Sequence, residues 1–228
     1  MQNNIDWQQF ETPDLIEKEV CKRILVLAQE AITERGQFKC VLAGGRTPER
    51  MYRLLAKSDS DWSKWFIYHG DERVLPVDDE NRNSVMAANV FLNTVAIPKN
   101  QIFDIPTELG VEESAAVYRS IVQAAMPFDL VLLGMGEDGH TASLFPGHVH
   151  DETDVVHSIY NSPKPPSERV TLSVKALSNT QNLFFLIEGA NKRDAIKQWR
   201  EGEDLPVVSI SALQNLVVFL DKAAVDVE

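Results

Sequence analysis

Cysteine is almost absent from this chain of 228 residues. Cys21 and Cys40 stand alone, without CxxC spacing, which excludes a disulfide framework and a thiolate metal set. One falls in a predicted helix and the other in a predicted strand, so buried free thiols are expected. Long apolar runs are missing as well: ILVLA, LVLLG and LVVFL are far too short to span a bilayer. The opening stretch MQNNIDWQQFETP carries Asp6 and Glu11 and lacks the apolar core of a secretion signal. A soluble, unsecreted, cytoplasmic protein is the expectation. Basic residues are scarce, with 22 Lys and Arg against 34 Asp and Glu and a net charge of −12. That average field repels extended polyanions and argues against nucleic acid or an anionic membrane as partner. A small anion remains compatible if a few cations are focused in one cleft, which makes their positions informative. No Pro/Gly/Ser linker, composition shift or fixed-period repeat divides the chain. At 44% apolar it can bury one sizeable core, so a single domain over residues 1–228 is expected.

What is present alternates. Thr12 suits an N-cap and Pro13 a first helical position, opening an amphipathic helix with Leu15, Ile16, Val20, Ile24, Leu27, Ala31 and Ile32 on one side and Gly36 at its end. A strand through Cys40 to Leu42, the turn Gly44-Gly45-Arg46-Thr47-Pro48 and a helix through Tyr52 and Leu55 follow. Trp65 to His69 reads as a second buried strand running into Gly70-Asp71-Glu72-Arg73. Helices over about 83–91 and 112–125 lead to the apolar run FDLVLLG. The C-terminal part continues the rhythm with Val170 to Ser173, Leu183 to Ile187, a helix from Asn191 to Trp199 and a strand from Leu216 to Leu220. The pattern predicts an α/β fold, a mostly parallel sheet flanked by helices on both faces in a Rossmann-like arrangement. Polar clusters at 44–47, 71–73, 136–140 and 189–192 then stand at strand ends that point one way and can converge on one crevice.

The segment from Gly134 to His148, GMGEDGHTASLFPGH, is the most informative of these. Gly134, Gly136 and Gly139 fit G-x-G-x-x-G after a strand, but Pro146 and Gly147 break the chain within two turns, where a dinucleotide site needs a long helix. Asp154, the acidic residue at about the right distance, precedes the run Val155 to Tyr160 rather than ending it. The glycines are better explained as letting the backbone approach a ligand while Asp138 and His140 face a cleft. A neutral imidazole is the readiest base at pH 7, and a carboxylate two residues away can fix its tautomer. Taken alone, the same pair is better read as a loop histidine satisfied by its neighbour. His148-x-His150 with His140 suggests a metal site only weakly, because no H-E-x-x-H or cysteine set accompanies it. No G-x-S-x-G surrounds Ser143, which disfavours a serine nucleophile.

In the 44–48 turn, Thr47 as N-cap with Pro48 at the first helical position would leave backbone N–H groups facing an anion, and Gly44 and Gly45 would permit close approach. The P-loop lysine is absent, and an ordinary capped turn explains the pattern as well; Arg46 within it favours phosphate. Asp71-Glu72-Arg73 is either a solvated charge run or a set of side chains held at the sheet edge, with Arg73 offering a planar fork for phosphate oxygens. Arg169 and Lys192 flank predicted strands beside these clusters; read alone, each is equally a surface cation.

With these residues in hand, the chain resembles the 6-phosphogluconolactonase family, within the larger sugar-phosphate isomerase/deaminase-like superfamily. The resemblance runs nearly end to end through AGGRTP, DERVLPVDDENRNS, GMGEDGHTASLFPG, and PPSERVTLS with LIEGANKRD. It departs at Arg82-Asn83, where the family usually has Ser-Asn. The resemblance implies hydrolysis of 6-phospho-D-glucono-1,5-lactone without an obligatory metal or organic cofactor. His140 would activate water, with Asp138 orienting it. Arg73, Arg169 and Lys192, with the turn Gly44, Gly45, Arg46 and Thr47, would hold the phosphate, and Asp71 and Gly136 would complete the substrate site. Backbone N–H groups of the 134–139 loop are the expected support for the oxyanion. Glucosamine-6-phosphate deaminases share the D-G-H core but place a glutamate five residues after the histidine, where this chain has Phe145. A non-catalytic sugar-phosphate sensor is the alternative from another class, and the intact Asp138–His140 pair argues against it.

Overall fold

The computed structural model describes residues 5–149 and 151–225. Its order begins with β1 (Asp6–Phe10), α1 (Pro13–Arg35), β2 (Phe38–Leu42), α2 (Arg46–Leu55), β3 (Trp65–His69) and β4 (Asp71–Arg73). Next come α3 (Asn83–Ala87), β5 (Ile102–Phe103), α4 (Val111–Ala125), β6 (Phe128–Leu133), β7 (Val156–Ile159) and β8 (Arg169–Leu172). The chain closes with α5 (Val174–Ser178), β9 (Thr180–Ile187), α6 (Arg193–Glu201) and β10 (Asn215–Asp221). α1 starts as its sequence indicates, with Thr12 extended (φ −140°, ψ 154°) before Pro13, and ends on Gly36 in the left-handed region (φ 74°). A π-helical turn, Ala88–Leu92, continues α3.

Seven strands form a parallel sheet in the order β1-β10-β9-β6-β2-β3-β5. Two apolar layers cover it, and the strands feed them alternately, as the period of two requires. In β6, Val131 and Leu133 face one layer while Leu130 and Leu132 face the other. The first layer includes Tyr118 and Val122 of α4 and Ile196 and Trp199 of α6; the second includes Ile16, Val20 and Ile24 of α1 and Met51 and Tyr52 of α2. Every residue of β6 is buried, as a strand covered on both faces must be. Among the described residues no helix is long and apolar enough to cross a membrane.

Strand order reverses between β2 and β6, whose carboxyl ends therefore flank the crevice that open parallel sheets use for ligands. Two expectations are corrected. The segment Asp71–Arg73 is a strand of its own rather than only a polar cluster at the end of β3, and Arg169–Leu172 is not in the parallel sheet: β4 and β8 pair antiparallel, with β7 on the far side, in a separate three-stranded sheet. Gly70 makes the join, its N–H donating to Leu42 O at 3.0 Å and its carbonyl accepting from Leu172 N–H at 2.8 Å. β1 escapes the sequence pattern because, at the sheet edge, DWQQF needs no apolar alternation; its register against β10 defines it.

Candidate active site

A cleft of about 350 Å³ opens at the carboxyl edge, lined by Gly44, Gly45, Asp71, Arg73, Asn83, Gly136, His140, Ala142, Lys164, Arg169 and Lys192 among others. Of the residues expected from sequence, it brings together all but Arg46, Thr47 and Asp138. Asp138 reaches it through His140. Arg46 and Thr47 line an adjoining recess that shares Gly44, Gly45 and Lys192 with the cleft.

The floor is a hydrogen-bonded knot around Asp71. Its Oδ1 accepts from Asn83 Nδ2 at 3.0 Å and its Oδ2 from Ser143 Oγ at 2.6 Å, which ties β4, α3 and the 134–148 loop together. Gly44 is required here, because a Cβ would stand 2.0 Å from Asn83 Oδ1. Glu72, wholly buried, accepts from the backbone N–H groups of Asn83 and Ser84 at 2.8 Å each and so caps α3. Arg82 is also buried and lies 3.6 Å from the Glu72 carboxylate, with Nη2 donating to Ile105 O. The departure at position 82 therefore braces the outer side of this helix start and leaves Asn83 on the cleft.

No helix follows β6; residues 134–149 form a loop, as the prolines and glycines require. Within it, His140 Nδ1 lies 2.5 Å from Asp138 Oδ1, and the same oxygen accepts from His140 N–H at 3.3 Å. Gly136, which lines the cleft, makes room for this pair: a Cβ would fall 2.0 Å from His140 Nδ1 and 2.5 Å from Asp138 Oδ1. Phe145 packs behind the imidazole, ring centroids 4.8 Å apart. Burial pushes the His140 pKa below its ordinary value, and Asp138 offsets this only in part. Asp138 is itself held below the usual carboxylate range; burial acts upward, but the contact with His140 outweighs it. At pH 7 the pair is thus a neutral imidazole beside a carboxylate, with Nε2 left for chemistry.

The oxyanion expectation needs correction for two amides. Gly136 N–H donates to His140 O at 2.7 Å and Gly139 N–H to Gly136 O at 3.2 Å, so both are engaged inside the loop. Ala142 lines the cleft in the left-handed region (φ 48°), a conformation that no local sequence signal announces. The expected N-cap is also displaced: Gly45, at φ 107°, caps α2, and its carbonyl accepts from Glu49 N–H at 3.1 Å. Thr47 lies within the first turn, because only glycine takes that φ without strain.

The cations differ in how they are held. Arg73 sends Nη1 to Asn81 O, while its Nε is buried without a hydrogen-bond partner among the described residues. Lys192 follows β9 in the turn begun by Gly189; burial pushes its pKa down, with Glu137 acting against that. Arg169 is buried 4.0 Å from Asp71, and three loop carbonyls, Lys164 O, Pro165 O and Pro166 O, accept from its Nη2 and Nε. Much of its fork therefore orders the 164–166 loop. Sequence reasoning passed over Lys164 and Asn83; the stretch SPKPP, a lysine between prolines, was the available signal for the first. Among the described residues no three His, Cys, Asp or Glu side chains gather as a metal site. His150 lies outside the described residues, so the His148-x-His150 reading falls there in part.

Residues 11–219 match the family described as glucosamine-6-phosphate isomerases/6-phosphogluconolactonase. A 6-phosphogluconolactonase of Mycobacterium tuberculosis is 33% identical over 94% of this chain and 95% of its own. The chloroplastic 6-phosphogluconolactonase 3 of Arabidopsis thaliana is 35% identical over 87% of this chain and 67% of its own. The crystal structure of 6-phosphogluconolactonase from Thermotoga maritima superposes with a TM-score of 0.90 at 28% identity, covering 96% of this chain and 100% of that one.

Proposed function

The chain belongs to the family of glucosamine-6-phosphate isomerases and 6-phosphogluconolactonases, and we propose that within it this protein opens 6-phospho-D-glucono-1,5-lactone to 6-phospho-D-gluconate with His140 as the base. It is an enzyme of the lactone-hydrolysing kind, like its 6-phosphogluconolactonase relatives. The observation that carries the mechanism is the Asp138–His140 pair opening on a cleft that holds Arg73, Lys164, Arg169 and Lys192.

Asp138 fixes the tautomer with the proton on Nδ1, so Nε2 accepts the proton of an incoming water. The water oxygen bonds to C1 of the lactone, and the bond from C1 to the ring oxygen breaks. The proton on Nε2 passes to that departing oxygen, leaving a C5 hydroxyl and a C1 carboxylic acid that ionises. A positioned base contributes about 10²- to 10⁴-fold, and an activated cyclic ester asks for little more than orientation. Arg73 and Lys192, with the turn 44–47 at the N-terminus of α2, hold the phosphate and provide that orientation. The expected cytoplasmic location accords with the reading and is proposed with it.

Phe145 separates this reading from deamination of glucosamine 6-phosphate, since a phenyl ring packed on the imidazole cannot relay a proton. Lactone disappearance, corrected for spontaneous hydrolysis, with ammonia release from glucosamine 6-phosphate followed in parallel, tests the assignment. Turnover of the lactone alone is expected. Ammonia release would reassign the site, and turnover of neither would make the protein a binder.

A further inference from the structure

Lys164 is carried into the cleft by a loop that is unusually well tied for an exposed segment. The buried Arg169 donates to the carbonyls of Lys164 (3.0 Å), Pro165 (3.1 Å) and Pro166 (3.3 Å), and Ser162 Oγ donates to Lys164 O at 2.8 Å. Lys164, at the end of this support, lines the cleft with His140 and Lys192. Its partner is Glu137, 3.1 Å away, and the two side chains are 38% and 58% exposed. A pair so open to water is screened and weak, so an anion entering the cleft can take the lysine from Glu137.

The chemistry of ring opening supplies such an anion. On the lactonase reading, on which this inference rests, the substrate carries one anionic group and the product two, because a neutral ester carbonyl becomes a carboxylate beside the base. Arg73 and Lys192 answer the phosphate, and most of the Arg169 fork is committed to the loop. We propose that Lys164 receives the nascent C1 carboxylate of the product, exchanging its bridge to Glu137 for one to the ligand, and so acts as a cation that reads the outcome of the reaction. Electrostatics agree with this placement, since the Lys164 charge acts on both His140 and Lys192.

Calorimetric binding of 6-phosphogluconate and of glucitol 6-phosphate, which keeps the phosphate but lacks the carboxylate, tests it on the intact protein. The wild type is expected to prefer 6-phosphogluconate. Lys164→Met should weaken 6-phosphogluconate by roughly tenfold, the loss of one charge-assisted contact, and leave glucitol 6-phosphate nearly unchanged, which also reports that the variant is folded. Lys164→Arg should keep the preference, and Glu137→Gln, by freeing the lysine, should tighten 6-phosphogluconate selectively. Equal losses on both ligands would place Lys164 in the phosphate grip, and no loss on either would leave it a loop cation; each overturns the proposal. Wild-type protein that hydrolyses the lactone while Lys164→Met keeps its carboxylate preference would sink this inference alone, whereas wild type inert toward both lactone and product would sink the lactonase reading beneath it.

Discussion

Gly136 lies directly against His140, so close that a Cβ on the glycine would stand 2.0 Å from Nδ1. No real contact is that short, and the atom displaced would be the ring nitrogen held by Asp138. Gly136→Ala should therefore push the imidazole off its partner and lower kcat by about 10²-fold or more, the range expected for losing a positioned base. Circular dichroism should show the fold retained, because the clash is with a side chain at the cleft. An alanine variant with wild-type kcat would mean that the 2.5 Å pairing is not the reactive arrangement.

Removing the base itself should have a cleaner signature. His140→Asn keeps polar volume but accepts no proton near neutrality, so kcat should fall by about 10²- to 10⁴-fold while 6-phosphogluconate still binds. The acid limb of kcat/KM should disappear with it. Retention of both kcat and that limb would transfer the role to another group.

The position of the acid limb follows from the pair. Burial lowers the His140 pKa, so the wild-type limb should lie below the ordinary histidine value of 6.5. Asp138 acts in the opposite direction, stabilising the imidazolium. Asp138→Asn should therefore move the limb to still lower pH while reducing kcat through the lost tautomer control. The same sign governs stability: a histidine whose folded pKa is depressed takes up protons more readily when unfolded, so its contribution falls as pH drops from the unfolded value through the folded one. A limb that rises in pH on removing Asp138 would contradict the pairing.

Phosphate recognition should separate from chemistry. Lys192→Ala and Arg73→Ala are expected to depress kcat/KM for the phosphorylated lactone by about tenfold or more, and to change turnover of unphosphorylated gluconolactone much less. Equal losses on both substrates would remove these residues from the grip.

Much of this protein is decided by sequence alone. Alternating strands and helices, the Thr12–Pro13 start and the Gly36 stop fix the parallel sheet and α1, because local backbone rules and the period of buried residues suffice for them. The glycines and prolines of residues 134–149 likewise rule out a helix after β6 and set Asp138 beside His140. What only the tertiary structure decided depends on chain segments meeting from afar. Asp71 and Arg73 read as a polar cluster at the end of β3, yet they form β4 because β8, about a hundred residues later, supplies the antiparallel partner. Arg169 lines the cleft, and its Nη2 and Nε also meet the carbonyls of residues 164–166, contacts that spacing along the chain does not state. Gly136 read as room for the backbone to approach a ligand and for Asp138 and His140 to face a cleft; the fold shows how tightly it is fitted to the imidazole. Spacing along a strand states which side chains share an edge; which donors remain free at that edge depends on acceptors brought by other elements, and only packing brings them.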